Sequence, residues 1–252
     1  MRAIAETTSD GVTERRFMVD DVPGVLWCPA DADGSLPLVL LGHGGGQHKR
    51  APGLVARARR YVADYRFTVA AIDAPGYGDR AKTADDVAFM ARMQALRESG
   101  QLADLGREAA RCGAECAVRA VPDWRSTLDA LTARGWFREG GPVGYFGVSL
   151  GSLIGVSLVA TEPRITAAVF GLAGLAGLAE VAPRVTVPVE FLLQWDDELV
   201  PRDSALALFD AFASREKTLH ANPGRHADVP AFEADSSARF FARHLLAASS
   251  GP

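Results

Sequence analysis

Pro142-Val143-Gly144-Tyr145-Phe146-Gly147-Val148-Ser149-Leu150-Gly151-Ser152 is a short apolar run that ends in a Gly-x-Ser-x-Gly pentapeptide and passes without a linker into the helical pattern Ser152–Ala160. The run before the serine has the length and composition of a buried strand. A strand that turns at once into a helix must bend sharply, holding Ser149 in strained backbone with its hydroxyl exposed. Glycines two positions to either side leave room for that bend. A helix starting at Leu150 would aim its positive end and free N–H groups at the place where a negative oxygen could develop.

Strand-like runs also occur at Arg15–Val19, Val25–Cys28, Leu36–Leu41, Phe67–Ile72, Ile165–Phe170, Val187–Leu193 and Glu216–Ala221, which with Pro142–Val148 makes eight. Leu54, Val55, Ala58, Tyr61, Val62 and Tyr65 keep one apolar face behind Pro52, and Ser204–Phe212 and Ala231–Leu246 show the same helical spacing. The first three strands follow one another directly, which suits an antiparallel start, and strand and helix alternate thereafter. That order predicts an α/β architecture: a mostly parallel eight-stranded sheet with helices on both faces. Ala84–Ala120 breaks the rhythm with two helical patterns, Val87–Leu96 and Leu102–Val118, and no strand between them. It reads as a helical insertion, either one wall of a cleft or ordinary layer helices. Residues 171–179 repeat Gly-Leu-Ala three times, a small apolar loop after a strand. No Pro/Gly/Ser linker divides the chain, so a single domain over 1–252 is expected.

The chain has 252 residues, 48% hydrophobic and 23% charged, with a net charge of −4. This balance excludes a disordered chain and gives no electrostatic footprint for nucleic acid. Arg57, Arg59 and Arg60 read as the solvated face of a helix. Three cysteines, Cys28, Cys112 and Cys116, are too few for a disulfide framework and fit a reducing cytoplasm. Met1–Asp10 has no apolar signal segment, and the uncharged run Ile165–Ala179 is shorter than the ~20 residues a membrane span needs, so no membrane partner is expected.

A serine hydroxyl needs a base, and the base needs an orienting acid. His226, in Asn222-Pro223-Gly224-Arg225-His226, follows the last expected strand and precedes the last helix. His43, His48, His220 and His244 are less well placed. Val187–Leu193 runs into Gln194-Trp195-Asp196-Asp197-Glu198-Leu199-Val200-Pro201, a loop at a strand's C-terminal end, where parallel sheets collect functional groups. Asp196, Asp197 and Glu198 all compete for the acid, and the two not used would simply face solvent. Leu41-Gly42-His43-Gly44-Gly45-Gly46-Gln47 follows another strand, and its glycines let backbone N–H groups approach a ligand. It lacks the phosphate-loop and dinucleotide patterns.

Taken together, the sequence resembles the α/β-hydrolase superfamily, in its compact dienelactone-hydrolase-like and esterase-like branches, over nearly the whole chain. His43-Gly44-Gly45-Gly46 looks like the family's oxyanion loop, Asp73-Ala74-Pro75-Gly76-Tyr77-Gly78 resembles its D-x-P-G-x-G turn, and Gly147–Gly151 its nucleophile elbow. The resemblance implies the catalytic order Ser149, Asp197, His226, with Asp197 selected by its place four residues before Pro201. It also implies oxyanion donors at the N–H groups of Gly45 and Leu150, and a structural Asp73. Many relatives carry a long helical lid after the sixth core strand; here that lid is short or absent. The expected activity is hydrolysis of a carboxylic ester or related acyl bond of a small-molecule substrate, with no metal or organic cofactor required. Peptide, thioester or C–C bond hydrolysis and acyl transfer would use the same triad, and a non-catalytic small-molecule-binding member would keep the fold without the chemistry. Gly44, Gly46 and Trp195 are candidates for substrate contact, and Leu172, Leu175, Leu178, Phe89 and Met93 for apolar walls.

Overall fold

The computed structural model describes residues 1–246, so residues 247–252 of the expected domain lie outside the described residues. Its sheet has nine strands in the order β1-β2-β3-β5-β4-β6-β7-β8-β9. These are β1 (Arg2–Ser9), β2 (Val12–Val19), β3 (Val22–Pro29), β4 (Leu38–Gly42), β5 (Thr68–Ile72), β6 (Val143–Gly147), β7 (Ile165–Gly171), β8 (Val189–Gln194) and β9 (Lys217–Asn222). The first three strands form an antiparallel meander that joins β5 antiparallel, and all pairings from β5 to β9 are parallel.

The expected count of eight strands is corrected to nine, because β1 precedes the first strand that the pattern marks. Its residues are almost all exposed and it pairs only with β2, so it lacks the apolar alternation that marks a half-buried strand.

Helices cover both faces. On one lie α1 (Pro52–Tyr65) and α6 (Glu233–Phe241), and on the other α3 (Leu102–Ala133), α4 (Leu150–Val159) and α5 (Arg202–Ala211). Alternation along β4 divides the core between them. Val39 and Leu41 pack with Ala58, Tyr61 and Phe241, whereas Leu38 and Leu40 join the cluster that contains Trp124, Leu128 and Tyr145. Pro52 opens α1, and Arg66 in the left-handed region closes it.

The helical insertion consists of α2 (Ala84–Glu98), capped by Thr83 and Asp86, and the first half of α3. The second helix does not stop near residue 120; it continues through Pro122 to Ala133, burying Trp124, Leu128 and Leu131. A proline removes the bond to the carbonyl four residues back. Here that residue is Val118, which is 75% exposed, so water can take the freed carbonyl. The first half of α3 lies against the loops at the strands' C-terminal ends: Cys116 Sγ is 3.9 Å from the Pro75 carbonyl, and Gly113 leaves space for Leu153 of α4. Between β7 and β8 there is only loop and a short 3-10 turn, Ala182–Arg184, in keeping with the short lid. Among the described residues no helix is long and apolar enough to cross a membrane.

Candidate active site

The chain leaves β4 for β5 on one side and enters β6 on the other, so β4 and β6 are neighbours whose connections diverge. Open parallel sheets form their crevice at such a switch point, beyond the strands' C-terminal ends. Register pairs Gly42 with Gly147, bringing the glycine loop after β4 beside the turn after β6.

Ser149 occupies that turn at φ 56° and ψ −121°, a conformation few non-glycine residues adopt. The turn is held from three sides. Ser149 N donates to the Gly171 carbonyl at the end of β7, Ser152 Oγ accepts from Gly171 N at 2.8 Å, and the Tyr145 hydroxyl donates to the Gly151 carbonyl at 2.7 Å. Side chains at Gly147 and Gly151 have no room: a Cβ would come within 2.5 Å of the Gly151 oxygen in the first case and 2.7 Å of the Gly42 oxygen in the second.

The residues expected to act together do meet. His226 Nε2 is 3.1 Å from Ser149 Oγ, and His226 Nδ1 is 2.8 Å from Asp197 Oδ2. Asp197 is almost fully buried on this loop, and its other oxygen accepts from the N–H groups of Leu199 at 2.8 Å and Val200 at 2.9 Å. That leaves Oδ2 for the imidazole.

Asp196 is exposed as expected and Glu198 half-buried, and both also brace the histidine loop. Glu198 Oε2 accepts from His226 N at 2.9 Å, its Oε1 lies 3.3 Å from Arg225, and Asp196 Oδ2 accepts from Gly224 N at 3.3 Å. All three acids of the loop therefore have work, and they differ in the part of the histidine segment they hold. Spacing could not separate them.

Leu150 is the first residue of α4, so its N–H has no carbonyl a turn earlier to bond. Gly45 sits at the tip of the glycine loop, where a Cβ would meet nothing within 4 Å. Gly44 is engaged within the loop: its carbonyl accepts from Gln47 N, and its N–H donates to Gln47 Oε1. Gly46 supplies the turn at φ 75°. Trp195 is 45% exposed, with the Arg202 guanidinium 4.1 Å over its ring.

The loop is anchored from below by Asp73 together with His43 and Lys49, whose anchoring roles the sequence pattern did not mark. His43 Nε2 accepts from Ala74 N at 3.0 Å, so its proton sits on Nδ1, which donates to the Gly44 carbonyl at 2.9 Å. Burial holds this imidazole below its ordinary value, keeping it neutral. Lys49 Nζ meets the fully buried Asp73 at 2.6 Å, and Asp73 also accepts from the N–H groups of Lys49 and Asp79. Asp73 is thus the structural residue the D-x-P-G-x-G turn implied. Burial pushes the Cys116 thiol up to about 11, which keeps it protonated and unsuited to act as a rival nucleophile.

A hydroxyl, an imidazole and a carboxylate in successive hydrogen-bond contact at the start of a helix can carry acyl transfer. No protein-family model and no curated protein matches the chain. Among solved structures, a cold-adapted esterase from an Arctic intertidal metagenomic library is 34% identical in its polyethylene-glycol-bound form, covering 95% of this chain and 97% of its own at a TM-score of 0.76. Its native structure aligns at 30% identity over 97% of this chain and 100% of its own, with a TM-score of 0.72. At 14% identity, Est1E from Butyrivibrio proteoclasticus, solved with ferulic acid, shares the fold over 96% of this chain and 100% of its own at a TM-score of 0.64. These structural homologues are esterases, which supports ester hydrolysis as the activity. The chain belongs to the α/β-hydrolase superfamily.

Proposed function

We propose that the protein is a serine carboxylesterase-like hydrolase working through an acyl-enzyme. The observation that carries this reading is the continuous contact Ser149 Oγ, His226 Nε2, His226 Nδ1, Asp197 Oδ2, at 3.1 and 2.8 Å. Ser149 attacks the ester carbonyl carbon while His226 Nε2 takes its proton, and Asp197 holds the ring and offsets its positive charge. The carbonyl oxygen becomes an oxyanion facing the N–H groups of Gly45 and Leu150, each such donor contributing on the order of 10²–10³ in rate. His226 returns the proton to the departing alkoxide, and a water activated by the same imidazole then releases the acid and restores Ser149. No step draws on a metal or organic cofactor. The three free cysteines support a cytoplasmic setting.

The test is labelling by a fluorophosphonate probe, with turnover of nitrophenyl esters of graded acyl length. Wild type should label stoichiometrically and Ser149→Ala not at all, with turnover falling on the order of 10⁶-fold. Equal labelling of the two proteins would sink the mechanism.

A further inference from the structure

One buried ionisable cluster takes no part in this chemistry. On the sheet face covered by α1 and α6, Glu190 of β8 pairs with Thr218, and Leu192 with His220 of β9, so Glu190 and His220 are diagonal neighbours on one face. The first turn of α6 adds Glu233. One nitrogen or oxygen from each of the three residues lies within 4.8 Å of the others.

Glu190 and Glu233 are only 3% and 1% exposed. Part of their demand is met locally: His220 Nδ1 is 2.9 Å from Glu233 Oε2, Asn222 Nδ2 donates to Glu233 Oε1, and Ser236 Oγ donates to Glu190 Oε2. Glu190 Oε1 is buried with no partner, on the carboxylate whose Oε2 stands 3.8 Å from His220 Nε2. A buried, unpartnered carboxylate oxygen is costly. Burial pushes the Glu190 carboxyl up, against the opposing fields of His220 and Arg239. Two adjacent buried carboxylates share one imidazole and the field of Arg239, and a dication among them would neutralise both.

We propose that Glu190, His220 and Glu233 form a binding site for a divalent transition-metal ion, separate from the Ser149 centre. One imidazole nitrogen with carboxylate oxygens and no thiolate suits Zn²⁺, Co²⁺ or Mn²⁺ and disfavours soft ions such as Cu(I). Water completes the coordination from the side of His220, whose side chain is 25% exposed. The ion ties β8, β9 and α6 together. The loops bearing Asp197 and His226 leave from β8 and β9, so the ion fastens the frame beneath them and does not enter the reaction.

The test is titration of chelator-stripped protein with Co²⁺ and then Zn²⁺, by visible absorption and calorimetry. One equivalent of Co²⁺ should give d–d bands that Zn²⁺ abolishes, protons should be released, and Tm should rise with Zn²⁺ concentration. Glu190→Gln and Glu233→Gln keep side-chain shape and should weaken binding by about 100-fold, while probe labelling of Ser149 persists in the metal-loaded wild type. If those variants do not fold, paramagnetic broadening by Mn²⁺ in wild type should strike His220 more strongly than His226. Absence of stoichiometric binding, equal binding in the folded variants, or broadening centred on His226 overturns the proposal.

Discussion

Gly106 of α3 is packed against the backbone of Leu199: a Cβ on the glycine would overlap the Leu199 carbonyl oxygen and come within 2.9 Å of its carbonyl carbon. Leu199 N in turn donates to Asp197 Oδ1. The insertion helix therefore seats the acid loop directly, through backbone, with no flexible side chain to absorb a change. Gly106→Ala should displace Leu199, turn Asp197 away from His226 and lower kcat/KM on a nitrophenyl ester by about 10²-fold, as a displacement near 1 Å does in positioned active sites. Gly113→Ala is the control, since the three atoms nearest its Cβ all belong to the Leu153 side chain and none to backbone. Comparable losses in both variants, or none in a folded Gly106→Ala, would show that the contact only packs.

Glu198 should matter for a different reason. It receives the His226 N–H and lies beside Arg225, fixing the histidine segment from outside the ring. Glu198→Gln keeps an acceptor and should leave kcat within about threefold, whereas Glu198→Ala leaves a part-buried N–H unpaired at a cost of about 1–3 kcal/mol. Activity and Tm measured together separate the outcomes: if Ala and Gln behave alike in both, the bond does not hold the loop.

Buried strands announce themselves in the chain, and exposed ones do not. Leu38-Val39-Leu40-Leu41 is buried on both faces, so apolar content alone marks β4; β1 has neither apolar content nor alternation because it faces solvent. The turn at Ser149 is legible because its demand for small neighbours is local. The choice of Asp197 over Asp196 and Glu198 comes from the family resemblance alone, because spacing does not show where each carboxylate points once β8 and β9 are paired. The Glu190, His220 and Glu233 cluster lies across three elements, and only the register and the docking of α6 bring it together.

His43 sets a pH dependence of stability. Its folded-state value is held below the ordinary 6.5 by burial, and its Nε2 must stay unprotonated to accept from Ala74 N. An unfolded chain takes up this proton more readily, so the contribution is complete above pH 6.5 and is lost progressively as pH falls below it. Unfolding titrations at pH 7.5, 6.5 and 5.5 should show wild type losing stability more steeply than His43→Gln, whose side chain does not titrate. Parallel slopes would mean that His43 takes its proton without disturbing the loop.

Asp73 and Lys49 make the last case, because their pair is buried on both sides, with side chains 0% and 6% exposed. Asp73 accepts three bonds: from Lys49 N at 2.8 Å, from Lys49 Nζ at 2.6 Å and from Asp79 N at 2.9 Å. Asp73→Ala strips all three and leaves the ammonium to Asp79, whose side chain is 80% exposed. Breaking a buried pair from one side costs about 3–5 kcal/mol, which denaturant unfolding should register as a lower midpoint at unchanged slope. Lys49→Met removes the cation instead, and it leaves Asp73 with its two backbone donors. It should therefore cost less than Asp73→Ala. The reverse order would place the anchoring of this loop in the Lys49 side chain and not in Asp73.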